Sequence, residues 1–320
     1  MSQVPYSLPR RSLMAAVAAS AGLAALPGPS RAAPSGVLRI GNQKGGLRSL
    51  FEASGIEKDL PYKIEWSEFG AAAPLLEAMN AGALDLGHQG DFAFVTVFAA
   101  GAPLKAIGAS RALPAGQAIL VHDPAIKTVA DLRGRKVAGN RAGWGQYLID
   151  AALQKAGVPA SEVGITLLTP ADAALAFRSG TVDAWAVWDP YVAFEVEQFG
   201  ARVLVDAAGL SPSITFVAAT DDAIKTKRPL LVDFLKRFDA GWQWSQTHIP
   251  DYAKYNSVLT HFPQSVLERA YTEQQTKAVP LDAALLAEYQ QVADQSVAFG
   301  LLPNKLDVRT SVDLSFSAIG

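Results

Sequence analysis

The stretch Asn80-Ala81-Gly82-Ala83-Leu84-Asp85-Leu86-Gly87-His88-Gln89-Gly90-Asp91 returns 98 positions later as Arg178-Ser179-Gly180-Thr181-Val182-Asp183-Ala184-Trp185-Ala186-Val187-Trp188-Asp189. Gly82 aligns with Gly180, Asp85 with Asp183 and Asp91 with Asp189, without a gap. The same offset carries Gly41-Asn42-Gln43-Lys44-Gly45 onto Gly139-Asn140-Arg141-Ala142-Gly143. Chains that alternate strands and helices reuse Gly and Asp at element boundaries, so one aligned pair would mean little. Two segments at one offset, set in the same element order, favour a duplicated architecture.

Outward from these segments the pattern continues. Residues 74–81 read as a helix with Leu75, Leu76 and Met79 on one face, stopped by Gly82, and 84–87 as a short strand. Asp91 reads as the N-cap of a helix over 92–100. In the second unit 171–179 reads as a helix stopped by Gly180 and 184–187 as a strand. Asp189-Pro190 then opens the next helix, with proline expected at its first position. Such alternation predicts mixed, mostly parallel sheets flanked by helices, an α/β chain of two lobes. A strand at 215–219 begins a final third dominated by helices. There Leu231, Phe234, Leu235, Phe238 and Trp242 form a stripe that reads as core. The expected division is 36–110 with 215–320 in one lobe and 111–214 in the other, with crossings near 110–117 and 207–213.

At 320 residues the chain is long enough for two domains, and its charge of −2 comes from 28 Lys+Arg against 30 Asp+Glu. Residues 1–32 read as an export signal. Arg10-Arg11 precede an apolar run over 13–26, too short to span a bilayer comfortably, and Ser30-Arg31-Ala32 supplies a small-residue cleavage site. The paired arginines point to twin-arginine export, with an ordinary secretory leader as the alternative. Removing that leader's three arginines takes the charge to −5, a poor match for nucleic acid. The chain has no cysteine, which excludes disulfides, thiolate metal sites and a cysteine nucleophile. A soluble, monomeric, periplasmic protein is the expectation.

In open parallel sheets, ligands bind beyond the carboxyl ends of strands, where helix N-termini lie. Four such loops are legible: 42–46, 88–91, 141–145 and 187–191. Their glycine-bearing turns can bring amides near an anion, and each helix start adds partial positive charge. Asn42, Gln43, Gly45, Gly46, Gln89, Gly90 and Gly145 are candidate contacts from these turns, with Lys44, Arg111 and Arg141 as candidate cations. Asp91 and Asp189 are caps first and contacts second, and Trp144, Trp188 and Tyr191 are equally placed for packing or for a cleft wall. Gln43-Lys44-Gly45-Gly46 lacks the Gly-Lys-Ser/Thr of a phosphate loop. His88, His122, His248 and His261 are scattered without metal-ligand spacing, and no Gly-x-Ser-x-Gly elbow occurs. No metal, cofactor or catalytic residue is expected.

Several blocks resemble the periplasmic aliphatic-sulfonate binding proteins, solute receptors of ATP-driven (ABC) importers. They are Leu38-Arg39-Ile40-Gly41-Asn42-Gln43-Lys44-Gly45, Leu84 to Asp91, Lys127 to Ala138, Leu168-Thr169-Pro170-Ala171-Asp172-Ala173 and Val182 to Tyr191. The Gln-Lys-Gly and Trp-Asp-Pro-Tyr blocks are the most specific. The resemblance implies a type II periplasmic binding-protein fold, shared with taurine and nitrate receptors, and delivery of a bound sulfonate to a membrane permease. It implies contacts from the Gln43 loop, from Gln89 to Asp91, from Arg141 to Gln146 and from Trp188 to Tyr191; Ser110 is a further candidate contact beside Arg111. Two segments depart from the family pattern. His88-Gln89 stands where small hydroxyl residues are usual, and Arg141-Ala142-Gly143-Trp144 stands where a Lys-Gly-Ser type of loop is usual. Trp144 is therefore expected to face an apolar chain or ring behind the ligand's anionic head. Taurine, nitrate or a pyrimidine precursor are alternative cargoes. A desulfinase-like enzyme on the same scaffold is the rival from another class, and it would need a cysteine nucleophile that is absent here.

Overall fold

The computed structural model describes residues 36–319, so the expected export signal over 1–32 lies outside the described residues. Two sheets organise the chain. In the first, β1 (Val37–Gln43), β2 (Lys63–Phe69) and β3 (Leu86–Gly90) are parallel, with β1 in the middle. Across β3 lie β10 (Ile214–Thr220), β4 (Leu104–Arg111) and β11 (Lys277–Val279), each antiparallel to its neighbour. In the second, β6 (Lys136–Gly139) lies parallel between β7 (Gly164–Leu167) and β8 (Ala184–Trp188). There β5 (Gln117–Val121) and β9 (Arg202–Asp206) complete the antiparallel side. The strand orders β2-β1-β3-β10-β4 and β7-β6-β8-β5-β9 correspond position for position. The sheets are more antiparallel than sequence alternation suggests, because β10 and β5 each arrive from the other sheet rather than by a helical crossover. The chain leaves the first sheet after Arg111 and returns at Ile214.

The repeated device is built the same way twice. Helix α2 (Ala72–Asn80) and helix α5 (Pro170–Arg178) both end at a left-handed glycine, Gly82 and Gly180, each with φ 73°. Ala83 N donates to Ala78 O and Thr181 N to Ala176 O, at 3.0 and 2.8 Å, the six-to-one closure that satisfies late carbonyls of a helix. Past each turn a carboxylate reaches the neighbouring parallel strand. Asp85 accepts from Arg39 N at 2.7 Å, and Asp183 accepts from Lys136 N at 2.8 Å. Burial alone would raise Asp85. Hydrogen bonds from the Arg39 side chain and backbone, together with the Lys227 ammonium, outweigh that and hold it below the usual carboxylate range.

Two helix starts depart from the sequence reading. Helix α3 (Asp91–Ala99) includes Asp91 as its first residue, and the carboxylate accepts only from the adjacent Phe92 N, so it is not an N-cap. Helix α6 (Tyr191–Phe199) begins one residue later than expected, with Pro190 preceding it, while Asp189 still accepts from Ala193 N at 2.9 Å. At α5 the cap is Thr169, whose hydroxyl accepts from Asp172 N at 3.2 Å and donates to the Asp172 carboxylate at 2.7 Å. Thr169→Ala is expected to cost about 1 kcal/mol in urea unfolding; an unchanged midpoint would mean that water caps the helix as well.

A continuous apolar core runs beneath both sheets. It joins Phe92 and Phe94 of α3 to Tyr147, Leu148 and Ile149 of α4 (Trp144–Lys155) and to Leu285 and Tyr289 of α11 (Ala283–Ala298). Phe92 and Tyr147 rings lie 5.7 Å apart, and Tyr147 OH donates to Gln295 Oε1. On the other face α8 (Arg228–Thr247) buries Leu231, Phe234 and Phe238 against β1 and α1 (Leu47–Ser54). Helices α9 (Ile249–Thr260) and α10 (Gln264–Gln274) pack beside α1 and reach α6 through Val266, Ala270 and Ala193.

Candidate functional site

A cavity of about 900 Å³ lies where loops of the two sheets meet. Its walls are the strand ends and helix starts of both halves. The turn Asn42 to Gly46 forms one lip. Gly45 has φ +78°, and a Cβ there would stand 2.7 Å from Thr260, so only glycine fits the turn against α9. Asn42 is already engaged, donating to Glu68 at 2.9 Å and accepting from Arg48 N at 3.1 Å at the start of α1. Asn140 does the matching work opposite, accepting from Gly145 N at 2.8 Å at the start of α4. The first turns of α1, α5 and α6 thus border one space, with the Asn140-Arg141 turn that leads into α4, and each helix start adds partial positive charge.

The charges in this space are few. Lys44 stands on the first-sheet side and Arg141 on the second, both exposed. Among the described residues neither makes an ion pair or side-chain hydrogen bond. His88 borders the cavity at the end of β3, with Nε2 3.0 Å from Ser110 Oγ. Burial pushes its imidazole down to about 3, so it is neutral and offers hydrogen bonding rather than charge. Among the described residues Asp189 is the one acid bordering the cavity. Burial pushes it up to about 7, so a full negative charge there is resisted. The floor adds the hydroxyls of Ser110, Thr215 and Thr276 and the amides of Gln43, Gln117 and Gln274.

Of the residues expected from sequence, Asn42, Gln43, Lys44, Gly45, Gly46, Ser110, Arg141, Trp188, Asp189 and Tyr191 border the cavity. Seven do not. Gln89 lies on the opposite face of β3 from His88, fully buried. Gly90 and Asp91 follow it under α3, whose first five residues are all buried. Arg111 is held by Glu288 through two bonds of 2.8 and 3.0 Å. Trp144 turns into the core and donates to Ser211 Oγ at 2.8 Å, so it is not the apolar cleft wall expected of it. Gly145 packs under β8, where a Cβ would stand 2.7 Å from Ala186 O, and Gln146 folds back to accept from Ala142 N at 3.0 Å.

Other residues enter unannounced. Trp242, at the end of the α8 stripe, packs against the core and also borders the cavity, and Tyr252, Phe262 and Tyr271 come from α9, the loop after it and α10. Nothing in their local pattern separates them from packing residues. Leu168, Thr169 and Pro170 were within reach, since the turn into α5 follows the same strand-to-helix rule as the other loops.

A family model described as NMT1/THI5 like matches residues 63–253. The chain belongs to that family. A relative from Escherichia coli (strain K12), named a putative aliphatic sulfonates-binding protein, is 35% identical over 281 residues, 86% of this chain and 88% of the relative. The solved periplasmic aliphatic sulphonate binding protein SsuA of Escherichia coli superposes with a TM-score of 0.78 at 34% identity, over 87% of this chain and 92% of that one. The alkanesulfonate-binding protein SsuA of Xanthomonas axonopodis pv. citri, solved with MOPS bound, gives 0.80 at 30% identity, over 87% and 98%. This NMT1/THI5-like chain therefore has the two-lobed type II periplasmic binding-protein fold, with the cavity as its interlobe cleft. Among the described residues no helix is long and apolar enough to cross a membrane.

Proposed function

We propose that this chain is an exported solute-binding protein that captures a small organic sulfonate between its lobes and delivers it to an ABC-type permease. The observation that carries the reading is the placement of Lys44 and Arg141. Two cations without partners among the described residues face one cavity from opposite sheets, beside the first turns of three helices, and the single acid of the described lining resists ionisation. A sulfonate stays anionic at any physiological pH and offers three acceptor oxygens. It suits a site of amides, hydroxyls and one or two cations. Lobe one comprises 36–110 with 215–320 and lobe two 111–214. The hinge is the pair of crossings, where Leu113 N donates to Gln274 O at 2.6 Å and Ser213 Oγ to Gln117 Oε1 at 2.7 Å. A ligand touching both lobes favours the closed form, and closure builds the surface that a permease distinguishes. Residues 1–32 direct export and the mature protein acts as a periplasmic monomer.

The deciding experiment is a thermal-shift screen of the mature protein against alkyl- and arylsulfonates, taurine, nitrate, sulfate and phosphate esters. A ligand at a hundred times its Kd should add about 2.7 kcal/mol of stability. A shift with another class and none with any sulfonate would overturn the cargo.

A further inference from the structure

The cleft holds far more aromatic surface than a short alkyl chain needs. Trp188, Tyr191, Trp242, Phe262 and Tyr271 border it, and each is only half-buried although large and mostly apolar. The well-covered aromatics of this chain, such as Phe51, Phe94 and Trp185, are zero to one per cent exposed, whereas the cleft rings pack against the core on one side and leave part of their surface to the cavity. They come from both lobes. Tyr191 meets Trp188 edge-on at 6.3 Å and 86°, and meets Phe262 edge-on at 5.4 Å and 87°, which sets rings from the α6 turn and from the loop before α10 in a herringbone. A flat ring can extend such a pattern with further edge-to-face or offset contacts, whereas a flexible chain gains only area. A cavity of about 900 Å³ also sits near the upper end of ordinary ligand sites, roughly 300–1,000 Å³, and exceeds what a two-carbon sulfonate fills.

We infer that the preferred cargo is an arylsulfonate, with the sulfonate at the helix starts between Lys44 and Arg141 and the ring among Trp188, Tyr191, Trp242 and Phe262. The inference rests on the sulfonate reading above and names the class within it. The aromatic wall replaces the role that sequence assigned to Trp144.

Titration calorimetry of the mature protein with benzenesulfonate and hexanesulfonate tests this directly, because both carry six carbons and one charge. Benzenesulfonate should bind about three- to tenfold tighter, in line with the extra attraction of aromatic pairs beyond area, and naphthalene-2-sulfonate tighter still. Trp242→Leu and Phe262→Leu, each checked for an unchanged melting curve, should lower benzenesulfonate affinity more than hexanesulfonate affinity and bring their ratio close to one. Hexanesulfonate binding as well as or better than benzenesulfonate in the wild-type protein would overturn the inference and leave the sulfonate reading standing. Failure of both ligands, and of ethanesulfonate, would sink the sulfonate reading itself. The wild-type ratio decides the matter even where a variant does not fold.

Discussion

Removing both cleft cations, Lys44→Ala with Arg141→Ala, should weaken sulfonate binding at least a hundredfold. A charge-assisted hydrogen bond is worth about 1.5–3 kcal/mol, and every 1.4 kcal/mol is tenfold in Kd. Both side chains are exposed, so solvent screening puts each near the low end, roughly tenfold alone. Because the two residues stand on opposite lobes, each single variant still lets the ligand grip one half, while the double variant removes the charged grip on closure from both. Folding should hardly change, within about 0.5 kcal/mol, since among the described residues neither cation has an ion-pair partner to abandon. The loss should shrink as salt rises and the wild-type protein itself binds more weakly. Calorimetry at two ionic strengths reads this out. Full affinity in the double variant would show that backbone amides and hydroxyls alone hold the anion, and that the cations are bystanders.

The fold was legible because its determinants are local and repeated. Gly82 and Gly180, Asp85 and Asp183 each sit where a helix must end and a strand must be tied to its neighbour, and backbone closure demands the same residues both times. The antiparallel strands β4, β5 and β9 were not legible. Each is a short apolar or mixed run whose partner lies across the chain, so no local period announces it. The cleft divides along the same line. Residues in strand-to-helix turns were found by rule, because any parallel strand delivers its next helix start to that edge. Failures came at side chains whose direction depends on pleat or packing. His88 and Gln89 are adjacent and point to opposite faces of β3, so assigning the loop did not assign the residue. Trp242 continues the spacing of Phe234 and Phe238 and meets Phe238 edge-on at 6.2 Å, yet it also borders the cavity, which the stripe alone does not announce. Arg111 looked like a free cation until α11, folding back from far along the chain, presented Glu288.

Asp91→Asn should stabilise the protein by about 2 kcal/mol at pH 8 and by nothing at pH 5. Asp91 is almost wholly buried, one carboxylate oxygen accepts from Phe92 N at 2.7 Å, and the other has no partner among the described residues. Burial pushes it up to about 7 against an ordinary 3.8, although the Phe92 amide and the positive charge of Arg111 pull the other way. Tyr147 and Tyr289 share its surroundings and burial raises both, so they stay neutral across this range. A raised acid is protonated in the native state at a pH where the unfolded chain has released the proton. The native state therefore binds more protons between about 4 and 7, and stability falls as pH climbs through that window. Above 7 the full penalty applies, about 4 kcal/mol for a rise of this size. Asparagine keeps the acceptor for Phe92 N and removes the charge. Its amide hydrogens would face the site where the carboxylate oxygen is unpartnered, returning about 1–3 kcal/mol of the gain. Near pH 5 the native aspartate is neutral but the unfolded chain has already released its proton, a penalty of only about 1.6 kcal/mol, which the cost of the misplaced amide hydrogens cancels. Asp189, also raised to about 7, keeps a residual slope of the same sign in the variant. Urea unfolding at pH 5 and pH 8 compares the two proteins, and a variant no more stable than wild type at pH 8 would mean that Asp91 is hydrated and charged in the native state.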